Sequence, residues 1–286
     1  MWSVPFAARN PFLVTSGNHI LVADRGGTDA IVLRGERILS NLTTDGEIFT
    51  GRINRNGFVA LATTADGFKS RIEVHSPFGR KIYKWEISEH YVLDVDVSPN
   101  NNNLVAALLR SDDEGIVGSL AFVDIENERI IERPSFVNAI ISAIRHDSNG
   151  NLLAIADTAA LFYDSEGQNI WNYSFDGRTL QSFAFQPTGN LFLFFRNSRN
   201  TSTLETLRVA DKHMLGTAEL DFEVQNISIN RNTVIAMGMR EISRFDRYAR
   251  QRSHAELGVD VHWQGLMSDR RNIFIAHGNS IERIRL

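Results

Sequence analysis

The chain has 286 residues, 43% of them hydrophobic and 22% charged, with a formal net charge of −4, the profile of an ordinary water-soluble globular protein. So small a charge gives no field to draw it to nucleic acid or an anionic membrane, and no apolar run approaches the ~20 residues of a transmembrane helix. The absence of cysteine excludes disulfides, thiol nucleophiles, iron–sulfur clusters and cysteine-rich zinc sites.

The N-terminus, MWSVPFAARNPF, lacks the basic start and long apolar segment of a signal peptide. Beyond it the chain repeats itself. Each unit holds a short apolar strand: ILVAD from Ile20, FVALA from Phe58, LVAAL from Leu104, LLAIA from Leu152, LFLFF from Leu191, VIAMG from Val234 and IFIAH from Ile273. Successive copies lie roughly 38 to 48 residues apart, a period of propeller blades. The quintets are continuously apolar and bounded by Gly, Asn, Asp and Pro, which is strand chemistry and not a helical stripe.

A glycine hairpin, or a variant of it, follows the apolar strand in five of the units. Gly35 precedes Ile38 and Leu39, Gly79 precedes Ile82 and Tyr83, and Gly167 precedes Ile170 and Trp171. In the third unit Asn127 stands in the glycine's place, and in the sixth Ala249 marks a weaker copy. Asn visits the left-handed conformation that such a turn needs. Before each apolar strand an inner strand runs into a turn, as in VLDVDV before Ser-Pro-Asn-Asn at 98–101. Continuous apolarity of the second strand implies burial on both faces, as when blades stack. The aromatics after the hairpin, Tyr83 and Trp85 or Trp171 and Tyr173, are expected to wedge between neighbouring blades.

The pattern predicts an all-β fold, a β-propeller of seven blades with four antiparallel strands each, forming a single domain over 1–286. The blades run roughly over 11–44, 45–88, 89–135, 136–176, 177–220, 221–257 and 258–286. The last unit is one strand short, and residues 1–10 are expected to supply that strand and close the ring.

Candidate chemistry is sparse. Asp94 and Asp96 alternate on one inner strand and so share a sheet face. Aligned on the following turn, Thr50, Ala143, Ser182, Asn226 and Gln264 match Asp94, a mostly small and polar set suited to lining a hydrated channel. His262 is the histidine best placed to join them, but no histidine pair has metal-site spacing, and structural or exposed roles are favoured for all. Two carboxylates without a nearby histidine, lysine or second acid do not specify hydrolysis. The segments 98–103 and 147–151 resemble fragments of calcium loops without the closing glutamate, and Asx-type turns explain them. The acidic tip Asp112-Asp-Glu-Gly115 reads as a solvated loop, and the arginines from Arg240 to Arg271 are offset by nearby acids. No nucleophile elbow, phosphate loop or dinucleotide fingerprint is present.

The stretch GFKSRIEVHSPFGRKIYKWEISEHYVLDVDVSPNNNNLVAALL, followed by GSLAFVDI, resembles an uncharacterised bacterial family of propeller-like domains, a domain of unknown function; the likeness is densest over about residues 45–125. The resemblance implies an extracytoplasmic, cell-surface propeller behind a single N-terminal membrane helix, typically in Gram-positive bacteria. No such helix stands in this chain, so either the anchor precedes it or this is a soluble variant. The family has no established catalytic residues to carry over. GQNIW and GRKIYKW are also similar to the repeat edges of WD40-like and quinoprotein-type propellers. Quinoprotein enzymes need a quinone, calcium ligands and usually vicinal cysteines, so that likeness implies architecture only.

The reading that results is a non-catalytic binding or scaffold module, monomeric, without cofactor, metal or nucleic-acid partner. Its ligand is expected to be a protein or an envelope glycan docked on one loop-bearing face. The alternative is a propeller hydrolase or lyase using Asp94 and Asp96 at the channel mouth.

Overall fold

The computed structural model describes residues 3–112, 115–132, 134–197, 200–230, 233–266, 272–278 and 280–285. Their regular structure is β-strand apart from a single turn of 3-10 helix at Val209–Asp211. Asp113 and Glu114 of the acidic tip, and Arg270 and Arg271, lie outside the described residues.

Seven antiparallel meanders follow one another along the chain. The first comprises β1 (Pro11–Ser16), β2 (His19–Asp24), β3 (Asp29–Arg34) and β4 (Arg37–Thr43). The second comprises β5 (Ile48–Ile53), β6 (Val59–Ala65), β7 (Phe68–His75) and β8 (Lys81–Ile87). The third comprises β9 (Tyr91–Val97), β10 (Asn103–Asp112), β11 (Gly115–Asp124), β12 (Arg129–Glu132) and the short β13 (Ser135–Val137), which also pairs with β11. The fourth comprises β14 (Ile141–His146), β15 (Leu152–Ala156), β16 (Ala159–Tyr163) and β17 (Asn169–Ser174). The fifth comprises β18 (Thr179–Phe185), β19 (Asn190–Arg196), β20 (Ser202–Arg208) and β21 (His213–Leu220). The sixth comprises β22 (Asn226–Asn230), β23 (Thr233–Met237), β24 (Glu241–Asp246) and β25 (Gln251–Glu256). The seventh comprises β26 (Trp263–Leu266), β27 (Asn272–His277) and β28 (Ser280–Arg285). The fold is a seven-bladed β-propeller. Four blades belong to a compact unit at Met1–Ser174 and three to a second at Phe175–Leu286.

The seventh blade differs from expectation, with three strands among the described residues. Of residues 1–10, expected to supply its fourth strand, 3–10 form no strand, and Met1 and Trp2 lie outside the described residues. Pro5 has no amide to give to a ladder, which weakens this segment as a strand. The backbone amides of Arg9 and Asn10 donate to Asp24 Oδ1 at 3.0 and 2.8 Å.

The core lies between blades, and β10 shows why its sequence is apolar without a break. Leu104, Ala106 and Leu108 pack toward the second blade, against Val74, Tyr83 and Ile87. The alternate residues Val105 and Ala107 pack toward the fourth, with Ile144, Leu152 and Ala154. A strand covered on both faces has no polar side to show. In the second unit Phe192 and Phe194 on β19 meet Val234, Ala236 and Phe245 of the sixth blade in the same way. Tyr83 is buried, and Trp85 packs against that second-to-third blade core. Trp171 instead stacks on Phe162 of its own blade, ring centroids 5.0 Å apart, with Tyr173 edge-on at 5.8 Å.

The spacing from turn glycine to isoleucine has a specific cause. In the first six blades the pairing of third and fourth strands carries one β-bulge just past the turn. His75 pairs with Lys81 and Val74 with Tyr83, so Ile82 is the extra residue; Ile170 has the same place between Asn169 and Trp171. A bulge re-aims the residues after it; in the first blade it falls one residue later, with Ile38 paired to Leu33 and Leu39 the extra residue. The left-handed position falls on Gly35, Gly79, Gly167 and Ala249, as the alignment expects. The third blade departs from it: Glu128, φ 52°, takes the left-handed position. Asn127 instead donates its amide and its Nδ2 to the carboxylate of Asp124, at 3.0 and 2.8 Å. The turn from Asp124 to Arg129 is one residue longer than those from Ser76 to Arg80 and from Asp164 to Gln168, so the left-handed position falls one residue later.

Candidate functional site

Asp94 and Asp96 lie on β9 and point to the same side, 2% and 9% exposed. Asp94 is a hub between three blades. Arg52 on β5 approaches it with Nε and Nη2, each 3.3 Å from a carboxylate oxygen. Arg145 on β14 places Nη1 2.6 Å from Oδ2, and the Ile144 amide donates to the same oxygen at 3.1 Å. Asp96 Oδ2 accepts the His146 amide at 2.8 Å and lies 3.1 Å from His146 Nδ1. Burial works against the Asp96 anion, yet the His146 contacts and the nearby Arg145 charge outweigh it and hold the carboxyl below its ordinary range. Both aspartates therefore act as anionic ties between first strands.

Arg52, Arg145 and His146 were not singled out by motif. The available signal was positional: two residues before the turn, successive blades carry Arg52, Asp96 and Arg145, charges of alternating sign on adjoining inner strands.

Among the remaining candidates, Thr50 on β5 is half-buried. In the second unit, Ser182 on β18 and Asn226 on β22 are also half-buried. Gln264 on β26 is buried and accepts a 2.7 Å hydrogen bond from Ser228 Oγ on β22, tying the sixth and seventh blades. His262 is exposed, its amide donating to the Ala276 carbonyl. Among the described residues no group of three or more His, Asp or Glu could hold a metal ion.

A second ionic cluster stands on β7 and β8. Glu73, wholly buried, accepts from His75 Nε2 at 3.1 Å and Lys81 Nζ at 2.9 Å. Lys81 also reaches Asp45 at 3.4 Å, and Arg71 bridges Asp45 and Glu86 at 3.4 and 2.9 Å. Burial alone would raise the Glu73 pKa, but the hydrogen bonds and charges of His75 and Lys81 overturn it and bring it down to about 2.

The first unit carries one further arrangement that sequence reading missed. The turns between first and second strands of blades two, three and four meet at one rim and, with Ser165 of the β16–β17 turn, line a polar cleft of about 460 Å³ whose walls include Arg55, Asn56, Asn100, Asn103, Ser148 and Asn149. These turns share a left-handed residue three positions after their first, although the third blade's turn is one residue longer. The amides of Asn54, Ser98 and Asp147 bond across the hairpin to Phe58, Asn103 and Asn151, while Gly57, Asn101 and Gly150 have positive φ. Side chains knit the turns together. Asn54 Nδ2 donates to the Ser98 carbonyl at 2.9 Å and to Asn101 Oδ1 at 2.7 Å. Asn56 Nδ2 donates to the Pro99 carbonyl at 2.8 Å. His19 Nδ1 lies 3.0 Å from the Arg55 carbonyl and props the same turn from the first blade. The Asp147 carboxylate holds the amides of Asn149 and Asn151 at 2.8 and 2.9 Å, so 147–151 is the Asx turn expected of it.

Several solved structures superpose on nearly the whole chain. Hydrazine synthase of Kuenenia stuttgartiensis superposes with a TM-score of 0.64 at 12% identity, covering 97% of this chain and 96% of that one. Sqt1 of Saccharomyces cerevisiae gives 0.68 at 12% identity, covering 96% and 82%. The C-terminal WD40 domain of Sif2 gives 0.58 at 8% identity, covering 97% and 96%. Likeness at such low identity shows the fold alone. None of the curated proteins compared matches the chain. Over residues 1–286 the sequence matches the model of the family of unknown function DUF5711, and the chain belongs to that family.

Proposed function

We propose that the chain is a non-catalytic binding module whose ligand, a protein or an envelope glycan, docks on the rim formed by the first-hairpin turns of blades two to four. The observation that carries this reading is the cleft, a pre-formed polar concavity whose walls are braced by the Asn54, Asn56 and His19 contacts. A surface held rigid before binding loses little entropy on complex formation. The resemblance to membrane-anchored bacterial propellers supports a place outside the membrane at the cell surface. No helix among the described residues is long and apolar enough to cross a bilayer, which is compatible with that role.

The hydrolase or lyase alternative needs carboxylates free to take a proton or steady a water molecule. Asp94 is engaged by two arginines and Asp96 by His146, and both are largely buried. An activity screen against glycoside, ester and lyase substrates, run on the full chain and on Asp94→Asn with Asp96→Asn, tests the reading. We expect no turnover from either protein. Turnover that is lost in a folded double variant would replace the binder with an enzyme.

A further inference from the structure

We infer that the rim cleft is a saccharide site, selective for a sugar that carries a carboxylate. The inference rests on the binding-module reading and narrows it to one ligand chemistry. Three observations support it.

The volume, about 460 Å³, lies within the range of small-ligand sites, but the lining departs from their usual apolar character. Pro99 is the lone apolar side chain among residues otherwise of Asn, Ser, Arg and Gly type. A ligand that fills such a cleft must present hydrogen-bonding groups on most sides, as a polyhydroxylated ring does. An apolar or aromatic ligand would strip water from these amides and hydroxyls and return nothing.

The hydrogen-bonding capacity is also free where it faces the cleft. Asn100 engages its Oδ1 with Ser98 Oγ and the Asn102 amide, which fixes the side chain and leaves Nδ2 as a donor. Asn56 engages Nδ2 on the Pro99 carbonyl, which leaves Oδ1 as an acceptor. The side chains of Asn103, Ser148 and Asn149 have no hydrogen bond to any described residue. Half of each fixed amide anchors the wall and the other half is left for a ligand, so both donors and acceptors are on offer, as a hydroxyl requires.

The charge within the cleft has a single sign. Arg55 contributes the one ionised side chain of the lining, and its guanidinium has no hydrogen bond or ion pair with any described residue. The aspartates of the adjoining turns make no ion pair with it: the Asp147 carboxylate is held on the Asn149 and Asn151 amides and that of Asp164 on those of Glu166 and Gln168. An unpaired guanidinium beside neutral amides selects an anion, and its planar fork matches a carboxylate.

Titration of isotope-labelled protein with glucuronate, glucose and acetate, followed by backbone amide shifts, tests this. Glucuronate should perturb amides of the 54–58, 98–103 and 147–151 turns and bind at least tenfold more tightly than glucose or acetate alone. Arg55→Met should bring glucuronate down to the level of glucose, and Asn149→Ala should weaken both sugars; the shift pattern elsewhere reports that each variant is folded. Equal affinity for glucose and glucuronate would overturn the selectivity, and perturbation confined to acetate-like behaviour would reduce the site to a bare anion contact. Glucuronate bound elsewhere, or no perturbation by any of the three, would overturn the site while leaving the binding-module reading to its own activity screen.

Discussion

Arg145 Nη1 lies 2.6 Å from Asp94 Oδ2, although the two residues stand on first strands of different blades. Arg52 meets the same carboxylate from the opposite side, so one anion on β9 links the inner strands of blades two, three and four. Removing that anion leaves two guanidiniums facing each other. Asp94→Asn should therefore lower stability by about 2–4 kcal/mol, near the range for breaking a buried pair but eased by the partial exposure of both arginines. The urea midpoint checks this. The triple change Asp94→Asn, Arg52→Met and Arg145→Met should recover much of the loss, since the cost lies in unpaired charge. An unchanged midpoint for Asp94→Asn alone would show that the hub is not a tie.

The Glu73 cluster predicts acid lability. With its folded-state pKa lowered from 4.5 to about 2, Glu73 adds stability above pH 4.5 that is lost as pH falls toward 2. A depression of that size corresponds to about 3 kcal/mol. Asp96, also depressed, adds a loss of the same sign. Stability measured by urea unfolding between pH 6 and 2 should fall steeply for the native chain. Glu73→Gln should be less stable at neutral pH, because His75 and Lys81 lose their anion, and should show a flatter acid profile. Parallel profiles would remove Glu73 as the cause.

Much of this architecture was legible in sequence because burial on both faces writes an unbroken apolar quintet, and the bulge fixes the distance from Gly79 to Ile82 and from Gly167 to Ile170. Local chemistry set the limit of that reading. Asn127 looked like the left-handed residue by alignment, but one extra residue in the turn from Asp124 to Arg129 gives that role to Glu128. The acidic pair Asp94 and Asp96 stood out as chemistry, while the groups that engage it, Arg52, Arg145 and His146, lie 42 to 51 residues away and looked ordinary. The cleft was invisible for the same reason. Each of its turns is an unremarkable Asn or Ser hairpin, and only side-by-side placement of three blades makes a concavity of them.

The sequence expects one domain over the whole chain, whereas the contacts divide it after Ser174. Scanning calorimetry discriminates between these. A single transition whose calorimetric and van't Hoff enthalpies agree would show one cooperative body. Two transitions would show that the four-blade and three-blade units melt separately, and the fragment 1–174 would then retain a transition of its own.

Phe194 on β19 is wholly buried among Leu204, Phe222 and Phe245. Phe194→Ala should cost about 3–5 kcal/mol by the cavity it leaves, while Phe78→Ala, at a residue 80% exposed, should change stability by less than about 0.5 kcal/mol. Equal effects would contradict the assignment of the core to the spaces between blades.

Two glycines make opposite predictions for reasons the repeat pattern does not reveal. Gly35 sits at the tip of the β3–β4 hairpin with φ 58°, and a Cβ there would meet nothing within 4 Å. Its requirement is conformational alone, and asparagine tolerates that conformation, so Gly35→Asn should cost no more than about 1 kcal/mol. Gly46 lies in the connection between the first and second blades, where a Cβ would stand 2.0 Å from the Thr64 carbonyl oxygen and 2.9 Å from its carbon. That approach is fixed from both sides: the Glu47 amide donates to Thr64 Oγ1 at 2.9 Å, and the Thr64 amide donates to the Glu47 carbonyl at 3.0 Å. Backbone cannot yield there as a side chain would, so Gly46→Ala should cost about 3 kcal/mol and displace the loop that carries Asp45 to Lys81 and Arg71. Thermal melts of the two variants side by side decide the matter, and a Gly46→Ala protein as stable as Gly35→Asn would mean that this connection does not hold the first blade to the second.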